Sequence, residues 1–289
     1  MSCRFIIPDG IIMSPKGVAR EWKPHLQKEA KRYLDKHKRL DAAIDAYFQD
    51  SGSRRSGSGA STSKLITLFE KYKDPDGDMI STQGTVQFFT ELGFKQDEEA
   101  MDGPDDTPKL LSLAYELQSP RLGEWTRKGW TDGWKSIGCD TIDGMKTALT
   151  CLEAKLGTDP SYFRTVYTYT FNFARSEGQR SLVKDTALEY WKSLLHFGVG
   201  KEALRYMPAD DAEDVDMDQG QGWTREHTEM WLEYMRARDD VAVSKDTWQM
   251  LPDFIRSFDG DFNKHDDQAA WPTIIDQFVE CAKQRVPTA

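Results

Sequence analysis

The sequence lacks any apolar run near the roughly 20 residues that a membrane-spanning helix needs, and its mean hydropathy is −0.66. Its start, Met1-Ser2-Cys3-Arg4-Phe5-Ile6-Ile7-Pro8, breaks at Pro8-Asp9-Gly10. That falls short of the ~7–15-residue apolar stretch of a secretory signal. Cysteine is scarce: Cys3, Cys139, Cys151 and Cys281 stand far apart, with no Cys-x-x-Cys. A disulfide framework is not indicated, and a reducing compartment is expected. The five histidines (His25, His37, His196, His227, His265) show no metal-ligand spacing, and no glycine-rich phosphate loop occurs. Positive charge is short, with 38 Lys+Arg against 48 Asp+Glu, a net −10. That sign argues against a nucleic-acid binder, which needs a basic stripe to release counterions from phosphate. Aromatics are plentiful: 9 Trp, 14 Phe and 10 Tyr indicate a folded core. The 289 residues make one large domain or two small ones at roughly 150 residues each.

The charge is uneven. Residues 1–63 carry a net +5, residues 64–209 a net −4, and residues 210–280 a net −13. Part of that acidity, Asp210-Asp211-Ala212-Glu213-Asp214-Val215-Asp216-Met217-Asp218, reads as a flexible insert spanning 206–222. The rest, from Asp239 to Glu280, is interleaved with Trp, Phe and Ile and reads as folded. Such polarity bears on partners and encounter rates rather than on fold.

Ser51 to Ser63 is a Ser/Gly-rich linker by composition. It divides a short unit, 1–50, from a body, 64–289. In the short unit, Leu26 to Phe48 suggests two helices broken near His37–Arg39. The body reads as all-α, with helical apolar spacing from Leu65 to Tyr72, Val86 to Leu92, Leu110 to Leu117, Thr126 to Ile137 and Thr141 to Leu156. Further stripes run over Ser161–Ala174, Asp185–Phe197, Trp223–Arg238, Ser244–Phe258 and Ala269–Ala282. Asp106-Thr107-Pro108 is a helix start with proline at the first position.

Asp74-Pro75-Asp76-Gly77-Asp78-Met79-Ile80 invites a calcium-loop reading, but every register fails. With Asp74 at position 1 the glycine position is Met79 and the closing carboxylate position is Thr85; with Gly77 at position 6 the first ligand is Tyr72. Leu122-Gly123-Glu124-Trp125-Thr126, ahead of an aromatic helix, is the candidate partner loop. Cys139 precedes a helix at Thr141, where a helix N-terminus can lower a thiol pKa, but no histidine is close in sequence. His265-Asp266-Asp267 reads as a polar loop. Phe173, on the crowded aromatic helix 161–174, is a candidate cleft residue. No catalytic residue, metal ligand or cofactor is assigned.

Five strings, in this order and spacing, are more specific: Tyr72-Lys73-Asp74-Pro75, Gly138-Cys139-Asp140-Thr141-Ile142, Tyr169-Thr170-Phe171-Asn172-Phe173-Ala174, Ser244-Lys245-Asp246-Thr247-Trp248, and Ala270-Trp271-Pro272 with Ile275-Asp276-Gln277-Phe278-Val279-Glu280. Residues 64–285 resemble the potentiating-neddylation domain of the defective-in-cullin-neddylation family. Leu40 to Gln49 resembles the last two helices of that family's ubiquitin-associated-like domain, making the 1–50 unit a partial one. The resemblance implies an all-α fold of degenerate, calcium-free EF-hand-like helix-loop-helix pairs. It implies a non-catalytic, scaffold-type co-ligase of the cytoplasm and nucleus, holding a cullin C-terminal region and the N-acetylated neddylation-conjugating enzyme together. Ubiquitin is the further partner implied for the N-terminal unit. The implied cullin-binding residues are Asp246, Ala270 and Asp276. The implied pocket for the enzyme's acetylated N-terminal Met is Thr82, Thr85, Leu110, Leu113, Ala114, Leu117, Leu122, Trp125, Phe173, Tyr190 and Ser193. Thr82, Thr85 and Ser193 depart from the larger aliphatics the pattern leads one to expect. The rival readings are a calcium-regulated EF-hand-like adaptor and a ubiquitin-binding adaptor.

Overall fold

The computed structural model describes residues 60–94, 105–207, 222–239, 242–258, 260, 262 and 270–285, and the backbone of 5–6 and 12–13. The chain divides into two units, Met1–Gly59 and Ala60–Ala289. In the first, β1 (Phe5–Ile6) pairs antiparallel with β2 (Ile12–Met13). The expected helices of the N-terminal unit, the core of the acidic insert at 208–221 and the His265 loop lie outside the described residues.

The second unit is helical, as its apolar spacing requires. Helix α1 (Thr62–Tyr72) is followed by β3 (Met79–Ile80) and α2 (Thr82–Leu92). Then come α3 (Thr107–Glu116), β4 (Trp125–Thr126) and α4 (Arg127–Ile137). Strands β3 and β4 pair antiparallel, with Ile80 opposite Trp125 and Met79 opposite Thr126. The Asp74 loop and the Leu122 loop are thus partners, as their sequences suggested. Helix α1 begins inside the stretch assigned to the linker, because Ser61, Thr62 and Ser63 are helix-starting residues as well as linker-type ones. Asp140 fixes that start by accepting from the Ser61 N–H at 2.9 Å.

The two halves of this first pair close in the same way. Gly84 is the third residue of α2, and a Cβ there would stand 1.8 Å from the Tyr72 carbonyl that ends α1. Gly129 is the third residue of α4, and its Cβ would stand 2.2 Å from the Leu117 carbonyl just past α3. Only glycine permits backbone approach this close. The aromatic centre beneath is Phe69, Tyr72, Phe88, Trp130 and Trp134, with Phe88 and Trp130 rings 4.7 Å apart.

Helix α5 (Ile142–Thr158) leads to the second pair. That pair comprises α6 (Pro160–Ala174), β5 (Leu182–Val183) and α7 (Lys184–Val199), then α8 (Arg225–Ala237), β6 (Ala242–Val243) and α9 (Lys245–Ser257). Leu182 stands opposite Val243 and Val183 opposite Ala242. Each of its four helices sends one aromatic to the centre. Tyr167 stacks on Trp248 at 4.6 Å, Trp248 on Trp191 at 5.4 Å, and Trp191 meets Trp231 edge-on at 5.3 Å. Two of the indoles are hydrogen-bonded there: Trp191 donates to Tyr167 Oη (2.7 Å) and Trp248 to the Tyr167 carbonyl (2.9 Å), while the buried Trp231 Nε1 has no partner among the described residues. Helix α10 (Thr273–Lys283) closes the unit. It starts later than the apolar stripe suggests, because Pro272 is its N-cap and Trp271 packs ahead of it on Phe254, 5.7 Å between rings. No helix of the described residues is long and apolar enough to cross a membrane.

Candidate functional site

The failed calcium loop carries its own cation. Lys73 Nζ donates to the carbonyls of Asp74 and Gly77, both at 2.9 Å. The Asp74 carboxylate accepts from Ser81 Oγ at 2.6 Å, so Ser81, the N-cap of α2, makes no side-chain cap of its own. The Asp78 carboxylate is held below its ordinary range by the Arg127 guanidinium, which donates to it at 2.8 Å. The loop's oxygens therefore serve side chains of this protein. Among the described residues no cluster of three or more His, Cys, Asp or Glu could hold a metal ion.

Cys139 does not have the environment of an activated thiol. Burial pushes its pKa up, and its Sγ donates to the Gly144 carbonyl at 3.4 Å. The helix N-terminus behind it is taken by Thr141, whose hydroxyl accepts from the Gly144 N–H.

The eleven residues of the implied pocket fall into two groups. Leu110, Leu113 and Ala114 lie on α3, which packs against both α6, bearing Phe173, and α7, bearing Tyr190 and Ser193. Leu113, Ala114 and Leu117 are wholly buried. Phe173 is 4% exposed, so it closes into the core instead of lining an open cleft, and it stacks on Tyr169 at 5.6 Å. Leu110, Tyr190 and Ser193 are half-buried. The shielded Ser193 Oγ has no hydrogen-bond partner among the described residues. Burial raises the Tyr190 pKa.

The second group is Thr82, Thr85, Leu122 and Trp125. Thr85 is buried and spends its hydroxyl on structure: it donates to the Gly123 carbonyl at 3.0 Å and accepts from the Trp125 indole at 2.9 Å. Its departure from an aliphatic is thereby explained, since a buried indole N–H needs an acceptor. Leu122 stands outward, 59% exposed, and Thr82 is exposed beside Gly123. Loop 119–124 joins the two groups and is strongly tied. The Ser119 hydroxyl donates to the Arg121 and Glu124 carbonyls at 2.7 Å, and Tyr169 Oη donates to the carbonyls of Ala114 (2.9 Å) and Ser119. Arg121 reaches Glu177 at 2.8 Å, past the end of α6. Arg121 and Glu177 were not singled out from sequence; Tyr169 was quoted there within the Tyr169–Ala174 string but given no role, and its signal was its place one helical turn before Phe173.

Of the implied cullin-binding residues, Asp246 is exposed in the first turn of α9, which Ser244 caps by accepting from the Thr247 N–H at 3.0 Å. Asp276 is half-buried in the first turn of α10, and Ala270 is exposed just ahead of it. Helices α9 and α10 pack against each other, so both carboxylates stand at the N-terminal ends of two contacting helices.

A cavity of about 170 Å³ lies elsewhere, lined by Leu92, Phe94, Lys109, Lys146, Leu149 and Thr150 among others. None of the implied pocket residues borders it.

An all-α unit of two ladder-joined helical pairs, with paired acidic helix ends, is the architecture onto which a known binding class now maps. The family described as Cullin binding matches residues 144–281, from α5 into α10, and so includes Asp246, Ala270 and Asp276. Defective in cullin neddylation protein 1 of Cryptococcus neoformans var. neoformans serotype D (strain B-3501A) is 33% identical over 265 residues, 89% of this chain and 88% of its own length. The protein of the same name from Eremothecium gossypii is 30% identical over 264 residues, 89% of this chain and 90% of its own. Human DCN1-like protein 5 is 27% identical over 225 residues, 78% of this chain and 79% of its own. The chain belongs to the defective-in-cullin-neddylation family.

Proposed function

We propose that this protein promotes cullin neddylation without contributing a reacting group, by holding a cullin and the neddylation-conjugating enzyme together. The observation that carries the reading is family membership combined with a Cullin binding match that contains the Asp246, Ala270 and Asp276 set. Two carboxylates flanking a small side chain suit a basic surface at close range, and charge complementarity speeds encounter. Pinning two reactants raises effective concentration and fixes orientation. The raised pKa of Cys139 supports a helper role over thiol chemistry.

The conjugating enzyme's acetylated N-terminal Met is assigned to the α3–α6–α7 wall together with loop 119–124. Leu113, Ala114 and Leu117 are buried, so half-buried Leu110 and Tyr190 and exposed Leu122 are the apolar side chains of this set nearest the surface. The Ser193 hydroxyl, without a partner among the described residues, is one polar group on that wall, beside that of Tyr190. The cytoplasm and nucleus are the compartments this role calls for. The test is a purified cullin neddylation assay with the Asp246→Ala/Asp276→Ala variant. A rate several-fold below wild type is expected, and an unchanged rate overturns the assignment of this face.

A further inference from the structure

The two carboxylates of the proposed cullin face lie on different helices, so neither helix fixes their spacing. We propose that Arg238 is the positioning residue that sets it, with Lys184 holding Arg238 from behind. This rests on reading Asp246 and Asp276 as the cullin-binding pair.

Arg238 is the cap residue that ends α8. Its Nη1 donates to Tyr234 Oη at 2.7 Å and to Gln277 Oε1 at 2.8 Å, and its guanidinium carbon stands 5.5 Å from the Tyr234 ring centroid. Gln277 directly follows Asp276, so this side chain reaches from the end of α8 to the turn of α10 that presents one carboxylate. The Arg238 backbone is anchored separately. Its carbonyl accepts from Lys184 Nζ at 2.6 Å, and the Arg236 carbonyl accepts from the same ammonium at 3.5 Å. Lys184 follows Val183, whose ladder partner is Ala242. Two residues past Ala242 is Ser244, the cap of the helix that presents Asp246. Arg238 is therefore tied by its side chain to α10 and by its backbone to the start of α7, and Ala242, paired with the residue before α7, stands two residues ahead of the cap of α9. Losing the Arg238–Gln277 bond removes one tie between α10's first turn and the chain that leads into α9, leaving the buried apolar contacts of that turn in place. Arg238 also brings a cation into a region of strong negative charge, where residues 239–280 hold ten acidic and three basic side chains.

The experiment measures affinity of the full chain for a cullin C-terminal region in Arg238→Met, Gln277→Met, their double variant, Arg238→Lys and Asp246→Ala/Asp276→Ala. Thermal midpoint and affinity for an acetylated conjugating-enzyme N-terminal peptide are recorded alongside. Arg238→Met and Gln277→Met should each weaken cullin binding by about fivefold, and the double variant by no more than either alone, since partners in one bond are not additive. Arg238→Lys should restore part of the loss, and peptide affinity should not change. Gln277 is exposed, so its variant keeps the test open even if Arg238→Met unfolds. Unchanged cullin affinity in Gln277→Met, beside a lost affinity in the aspartate double variant, overturns the positioning role and leaves the cullin face standing. Additive losses in the double variant also overturn it. Unchanged affinity in the aspartate double variant sinks the underlying reading, and the proposal with it.

Discussion

Thr85→Val separates two roles for one residue. As a pocket-lining position, Thr85 would accept an aliphatic of the same shape at little cost. As the clamp described above, it would not. Valine keeps the volume but removes the hydroxyl that receives the Trp125 indole N–H at 2.9 Å and donates to the Gly123 carbonyl at 3.0 Å. Trp125 is 1% exposed, so its N–H gains no water in exchange. Leaving such a group unmatched costs about 1–3 kcal/mol. The Gly123 carbonyl lies in a loop whose neighbour Leu122 is exposed, so it belongs near the low end, about 1 kcal/mol. Thr85→Val should therefore lose about 2–4 kcal/mol in urea unfolding. Thr85→Ser keeps the hydroxyl and loses one methyl, about 0.8 kcal/mol. The comparison carries the test. If valine is as stable as serine, the clamp is energetically idle and the reasoning fails. If valine is worse as calculated, affinity for the acetylated peptide should fall with it, because the same bonds hold the loop bearing Leu122.

Gly84→Ala should cost about 3 kcal/mol or more, since its Cβ would meet the Tyr72 carbonyl at 1.8 Å; a near-wild-type melting temperature would refute the close approach. Glu91 is held below its ordinary 4.5 by hydrogen bonds from Lys71 and Tyr72. Its folded pKa is depressed, so its contribution is present above 4.5 and is lost as pH falls from there through the lower folded value. The melting-temperature gap between wild type and Glu91→Gln should therefore shrink across that acidic window, and a gap constant with pH refutes it. Lys73→Met should lower stability by about 1 kcal/mol, as two loop carbonyls, one part-buried and one exposed, lose a charged donor. Calorimetry of the wild-type protein should show no calcium binding well below millimolar; a micromolar site would restore the rival adaptor reading. Cys139→Ala should neddylate cullin at the wild-type rate, and a dead variant would make the protein a thiol enzyme.

What was legible in the sequence follows from where each signal resides. Helices such as α5 and α9 carry their apolar residues at three- and four-residue spacing, so one buried face writes itself into the chain. Asp106-Thr107-Pro108 marked the start of α3 because a proline at the first turn forfeits no bond. The two-residue strands were not legible, since a period of two cannot be read from two residues. Thr85 and Phe173 were assigned to a pocket by pattern alone. What they touch depends on Trp125 and Tyr169, and only the folded chain shows that contact.

The acidic face shows the same division more sharply. Sequence places Asp246 and Asp276 in one negatively charged segment and accounts for the sign of a partner. It says nothing of their spacing, which is settled between helices. Lys184 is 54 residues before Arg238, and Arg238 is 39 before Gln277. Cations inside an acidic stretch are the one local hint. Screening should then act unequally on these groups. Binding of a basic cullin surface to exposed Asp246 should weaken as salt rises past the point where the Debye length is about 8 Å, while the hydrogen-bonded Lys184–Arg238–Gln277 tie persists. A cullin affinity that holds from 50 mM to 500 mM salt, on the order of a threefold drop in screening length, would mean that the contact is apolar and that the charge of the segment serves something else.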